Sequence, residues 1–380
     1  MLPRPLTLLI GTGFAAAAIG VTAATTILAR TLISIPKNRR PDVAIREVDE
    51  SSIELATNAD TVLPGRYALR LAHDVVPLGE VLEHGASTVR REFSSDARAR
   101  LGATRRAFFS GWYLSHPSDI TNDWDEVPID TALGVAPAWR MGAETNETWA
   151  IHIHGRAVQR GETVRGVGPF LERGISNLLI SYRNDGEAPF DDRARYRLGE
   201  REWRDVEAAI AFARDHGADN VVLVGWSMGG QIALQTALRS RFRRMIQGVV
   251  LESPVVAWDP TLHHQLRALH LPKLFAVTAG ALLRSRLASV LTGSDRLDLR
   301  VLNVVARADQ LRAPILLLHS IDDGFVPATA SRELARARPD IVTYVEYRNA
   351  RHTKLWNINP AAFERSIGAW IDANIANKDR

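Results

Sequence analysis

The chain contains no cysteine. That absence excludes disulfides, a thiol nucleophile and thiolate metal sites. A large excess of one charge is missing too. There are 47 Lys and Arg against 43 Asp and Glu, a formal net charge of +4, so no polyanionic partner is implied. No internal repeat and no low-complexity tract is visible. From Pro5 to Ala29 there is no charged residue at all. As a helix this stretch would be about 37 Å long, enough to cross a bilayer.

What remains is the composition of a globular enzyme: 380 residues, 46% hydrophobic and 24% charged. Residues 1–30 read as a transmembrane anchor or a signal segment. The apolar stretch is long and only Arg4 precedes it, which favours an uncleaved, single-pass anchor at the cell membrane. The alternative is a secreted protein released by signal cleavage. Arg30, Lys37, Arg39 and Arg40 follow the stretch, a small bias towards a cytoplasmic catalytic side. Residues 31–45 read as a basic linker. In residues 46–125, short strand patterns at Ser52–Ala56, Arg66–Ala72, Ser87–Phe93 and Ala107–Leu114 are separated by turn residues, as in a β-rich module or in extra strands packed on the edge of the following domain. From 126 to 380, strand and helix patterns alternate, as a mostly parallel sheet with helices on both faces requires. Residues 257–309 break that rhythm with leucine-rich helical spacing and read as a cap.

The chemistry is carried by Val221-Val-Leu-Val-Gly225-Trp-Ser227-Met-Gly229-Gly230. A short β-branched run ends in Gly-x-Ser-x-Gly, and a helical pattern follows. That context makes a nucleophile elbow, which lifts the serine hydroxyl to a helix N-terminus. There the N–H of Met228 faces a developing oxyanion. A serine needs a base to take its proton, and the base needs an acid to orient it. Two candidate acids, Asp322 and Asp323, follow the apolar run Ile315–His319. His352 follows a further strand pattern at Val342–Tyr347. The order Ser, Asp, His is that of the hydrolase triad.

With these motifs and His154-Gly155, residues 126–380 resemble the α/β-hydrolase fold family. The resemblance implies an α/β-hydrolase fold with a helical cap insertion and a β-rich N-terminal extension. Family members often carry His-Gly-x-x-Asp-x-x-Val-Pro at the acid. Aligning that pattern on Val326-Pro327 selects Asp323, with Ser320 in place of the glycine. The family's second oxyanion donor falls on the N–H of Arg156. The chain looks closest to membrane-anchored actinobacterial hydrolases of undefined substrate, through Ser181–Pro189 and Glu202–Asp205. The resemblance implies a serine hydrolase that cleaves carboxylic esters, lipid-like esters included, through an acyl-enzyme and without cofactor or metal. Peptidase or amidase action, acyl transfer, and a membrane-tethered binding module on a hydrolase scaffold are the alternatives.

Two other features have plainer readings. His152 and His154 share one face of a strand, but no further ligands sit at metal spacing, so no metal site is expected. Arg239, Arg241, Arg243 and Arg244 fall where the helix after Ser227 should end, where cations favour the helix dipole. No nucleic-acid module is present. The expected partners are a small-molecule or lipid-like acyl substrate and, through the N-terminus, a membrane.

Overall fold

The computed structural model describes residues 20–36, 40–72, 74–143 and 146–375. Most of the segment expected to be an anchor, including Arg4, lies outside these residues, as do Lys37 and Arg39.

Seven strands form the N-terminal module: β1 (Val43–Val48), β2 (Ser52–Ala56), β3 (Tyr67–Arg70), β4 (Val75–Leu78), β5 (Val81–His84), β6 (Thr88–Glu92) and β7 (Arg106–Ser110). They form one antiparallel sheet in the order β4-β3-β7-β1-β2-β6-β5. Its core holds Val43, Ile45, Ile53, Leu55, Tyr67 and Phe109. Arg91 is fully buried beside them. Its guanidinium donates to the carbonyls of Thr61, Leu63, Gly65 and Gly79, so the charge is solvated by backbone dipoles.

Eight strands form the second sheet: β8 (Trp124–Thr131), β9 (Gly134–Met141), β10 (Thr148–Ile153), β11 (Ser176–Ile180), β12 (Asn220–Trp226), β13 (Ile246–Glu252), β14 (Ile315–Ser320) and β15 (Val342–Tyr347). The order is β15-β14-β13-β12-β10-β11-β9-β8. All neighbours from β11 to β15 run parallel, and β8 and β9 close one edge as an antiparallel hairpin. Both faces are covered, which is why β12 reads as an unbroken apolar run. Val221 and Leu223 enter one core with helices Trp203–Asp215 and Met228–Arg239. Val222, Val224 and Trp226 enter the other, beneath helix Pro360–Asn374. The cap comprises helices Trp258–Ala268, Leu274–Arg284 and Ala288–Thr292, followed by two 3-10 turns.

The described end of the expected anchor and the start of the expected linker dock on the hydrolase domain. Residues 20–33 are helical, and Ala29 and Ile33 are fully buried in the hydrolase core. Thr25 Oγ1 lies 2.9 Å from Thr278 Oγ1, and Arg30 Nε donates to Leu291 O at 2.7 Å. Ile33 O accepts from Tyr196 N, and Ser34 bridges to Arg195. The linker expected over 31–45 is therefore shortened at both ends. Leu32 and Ile33 bury apolar surface against the hydrolase domain, and β1 already begins at Val43. Among the described residues, no helix is long and apolar enough to cross a membrane.

Candidate active site

Ser227 sits between β12 and helix Met228–Arg239 with φ 54° and ψ −116°. This left-handed backbone costs about 1–3 kcal/mol for a residue with a Cβ and persists only where its surroundings enforce it. They do so here by close packing. A Cβ at Gly229 would fall 2.0 Å from Ile153 O, and one at Gly225 would fall 2.6 Å from Gly229 O. The elbow's glycines are thus required by backbone approach, and Ser227 N is tied to Glu252 O at 3.0 Å.

His352 Nε2 lies 2.8 Å from Ser227 Oγ, and His352 Nδ1 lies 2.7 Å from Asp323 Oδ2. A carboxylate can only accept, so the Nδ1 proton points at Asp323 and Nε2 is left to accept from the serine hydroxyl. Asp323 Oδ1 accepts from Phe325 N and Val326 N, while buried His319 lies 3.3 Å from Oδ2. Burial opposes ionisation of Asp323. The charge of His352 and hydrogen bonds from both histidines outweigh it and hold the carboxyl far below the usual range. Burial lowers His352, but the negative charge and hydrogen bond of Asp323 prevail and raise it above the ordinary imidazole value. Asp322 turns elsewhere: its Oδ2 accepts from Asn349 N at 2.7 Å, pinning the acid loop to the histidine loop.

Met228 opens its helix, where N–H groups lack intrahelical acceptors. Arg156 follows Gly155, whose added Cβ would stand 3.3 Å from Ser227 Cβ. The two expected oxyanion donors therefore belong to segments that flank the serine. Three side chains brace the Arg156 loop. Glu162 Oε2 accepts from Gly155 N at 2.8 Å. Tyr182 donates to Gly155 O at 2.9 Å. His154 bonds Gly155 O and Asp185 while stacking on Tyr182. His152 is a separate core residue: it bonds Asn177, and burial lowers it to about 4. Among the described residues, no group of three or more His, Cys, Asp or Glu is placed to hold a metal.

Ser227 and His352 open into a cavity of about 710 Å³. One wall is Gly155–Val158, Phe325 and Arg351–Lys354. The facing wall belongs to the β-rich module, through Asp60, Arg70 and Phe108–Trp112. Arg70 stacks on Trp112 at 4.0 Å. The modules are locked by Asn357, whose Nδ2 donates to Arg66 O and Gly111 O while its side-chain oxygen accepts from buried Arg165. Sequence reading missed this wall, along with Glu162 and Lys354. These contacts join residues far apart in the chain, and no local motif announces them.

Residues 147–366 match the model of the alpha/beta hydrolase family. The chain belongs to that family. Residues 44–110 match a domain of unknown function, DUF8805. No curated protein matches the chain. Among solved structures, the chain is similar to the esterase Pf2001 of Pyrococcus furiosus. One crystal form matches at TM-score 0.53 and 16% identity over 68% of this chain and 94% of the esterase. Another matches at TM-score 0.52 and 16% identity, over 68% and 96%. At such identity the likeness shows a shared fold.

Proposed function

We propose that this alpha/beta hydrolase cleaves carboxylic esters at a membrane. The observation that carries the reading is the unbroken hydrogen-bond chain Ser227–His352–Asp323, of which Ser227 and His352 line the cavity. Ser227 Oγ attacks the ester carbonyl carbon as His352 Nε2 takes its proton. Asp323 holds the imidazole orientation and offsets its positive charge. Met228 and Arg156 N–H groups receive the oxyanion. The imidazolium then protonates the leaving alkoxide, and water, deprotonated by His352, releases the acid. Esterase relatives in fold favour this class over amides.

The membrane part rests on the uncharged run from Pro5. Thr25 and Ala29 are buried against protein, and the uncharged residues that precede Thr25, from Pro5 on, are enough for about 30 Å of helix. Burial of Ala29 and Ile33 in the hydrolase core supports an uncleaved segment.

The test is fluorophosphonate labelling with hydrolysis of a p-nitrophenyl ester. Ser227→Ala is expected to abolish labelling and lower turnover by about 10⁶, with melting unchanged. Near-wild-type turnover in Ser227→Ala would remove the serine from the mechanism. Flotation of the full chain with vesicles tests the anchor separately.

A further inference from the structure

The cap carries a surface that a water-facing helix does not normally show. Helix Leu274–Arg284 reads Leu-Phe-Ala-Val-Thr-Ala-Gly-Ala-Leu-Leu-Arg, with only Thr278 and Arg284 polar. One side is buried through Ala276, Ala279 and Leu283. The outer side is apolar as well: Leu274 is 57% exposed and Val277 60%. A surface helix ordinarily turns polar residues outward, and one apolar all round is either buried or in contact with lipid. Residues on either side, including the helix Ala288–Thr292, add Leu269, Leu287 and Val290, the last 75% exposed. Fourteen large apolar side chains stand exposed among the described residues. Six lie between Leu269 and Val290 and two more, Val21 and Ile27, on the helix of residues 20–33. So dense a patch marks an interaction surface.

Charge says what kind. From Thr261 to Ser294 there is no Asp or Glu, whereas Arg267, Lys273, Arg284 and Arg286 are all present. Asp298 lies close enough to Arg284 to interact with it, but Arg267, Lys273 and Arg286 belong to the same acid-free stretch as the exposed apolar side chains, a combination that matches the interfacial layer of an anionic bilayer. Position agrees. The Thr25–Thr278 contact sets the end of the uncharged N-terminal run beside this helix.

We propose that the cap face formed by residues 269–290, together with the helix of residues 20–33, lies in the interfacial layer of a bilayer containing anionic lipid. The inference rests on the membrane placement proposed above and is independent of the ester chemistry. Its position ties lipid contact to the site. Arg156, on the oxyanion loop, donates to the carbonyls of Thr31 and Ser34 at the end of the N-terminal helix. The cap helix Trp258–Ala268 touches the acid loop, with His264 Nε2 3.2 Å from Gly324 O.

The lack of native cysteine makes the test direct. The full chain, carrying Val277→Cys, Val290→Cys or Leu82→Cys on exposed β5, is labelled with an environment-sensitive fluorophore. It is then mixed with phosphatidylglycerol–phosphatidylcholine vesicles bearing a spin-labelled acyl chain. The expected result is strong quenching at positions 277 and 290, little at 82, and weaker quenching at 277 in pure phosphatidylcholine. Flotation with vesicles but no quenching at 277 overturns the cap proposal and leaves the anchor standing. Failure to float overturns the membrane placement and the cap proposal with it. Shielding of position 277 from an aqueous quencher without lipid quenching means that protein covers the patch, and also overturns it.

Discussion

Lys354 Nζ lies 2.5 Å from Asp60 Oδ2, joining a residue two places after His352 to the β-rich module. The module is therefore a structural neighbour of the triad as well as a wall of the cleft. Lys354 is largely buried and Asp60 partly exposed, so solvent screens the pair and its contribution stays at or below about 1 kcal/mol. We expect Asp60→Asn and Lys354→Met each to lower kcat/KM on a short ester by no more than about fivefold. The double variant should lose little more than either single one. A double-mutant cycle checks this, and fully additive losses would mean that the contact does not position the loop.

Asp323→Asn should reduce turnover by about 10⁴, because an amide favours the wrong imidazole tautomer and cannot offset the imidazolium. Asp322→Asn keeps an acceptor for Asn349 N and should leave turnover near wild type with at most a small drop in melting temperature, since Asp322 holds Asn349 N rather than His352. Turnover and melting measured for both variants decide the matter. A larger loss of turnover at Asp322 would transfer the acid's role.

His352 must be neutral to accept a proton, and its pKa is raised by Asp323. The acid limb of kcat/KM should therefore fall above the ordinary imidazole value of about 6.5. The same shift stabilises the fold below about pH 6.5, and that contribution fades as pH rises through the folded value. A pH–rate profile with its acid limb well below 6 would contradict this electrostatic picture.

Glu252 provides a pH effect on stability. Burial, opposed by Arg165, pushes its carboxyl up to about 8. Its Oε1 accepts from Leu355 N, while Oε2 finds no partner among the described residues. Between about pH 4.3 and 8 the folded state holds a proton that the unfolded chain has released, so stability falls as pH rises, by at most about 1.4 kcal/mol per unit. Glu252→Gln keeps the bond to Leu355 and should flatten that slope. Melting curves from pH 5 to 9 give the comparison. Parallel slopes for the two proteins would show that Glu252 is not the group responsible.

Gly229→Ala should be severely destabilising, because the new Cβ would sit 2.0 Å from a β10 carbonyl. Gly280→Ala meets nothing within 4 Å and should be tolerated or mildly stabilising in its helix. Thermal melting of both separates backbone crowding from a general sensitivity of glycines.

The sequence made legible whatever is set by neighbours in the chain. The apolar run of β12, the glycines of the elbow and the four module strands around Ser52, Tyr67, Val89 and Ala107 all announce themselves over fewer than ten residues. Asp322 and Asp323 were harder to separate, because adjacent residues differ only in where the turn points them. The β-rich wall of the cleft was illegible, since Asp60 and Lys354 meet across most of the chain. The docking of Ala29 and Ile33 was hidden for another reason. An apolar stretch looks the same whether protein or lipid will cover it.

The place of that first helix has a consequence for synthesis. Arg30 and Ile33 emerge early, yet their partners Tyr196 and Leu291 follow long after. At about 5–20 residues per second, the roughly 260 residues between Arg30 and Leu291 take on the order of 13–50 s to translate. Until the end of that interval the helix lacks its contacts with the cap. The earliest-made apolar segment is thus among the last pieces to be seated, and the nascent chain must keep it from non-native contacts until the ribosome has delivered the cap.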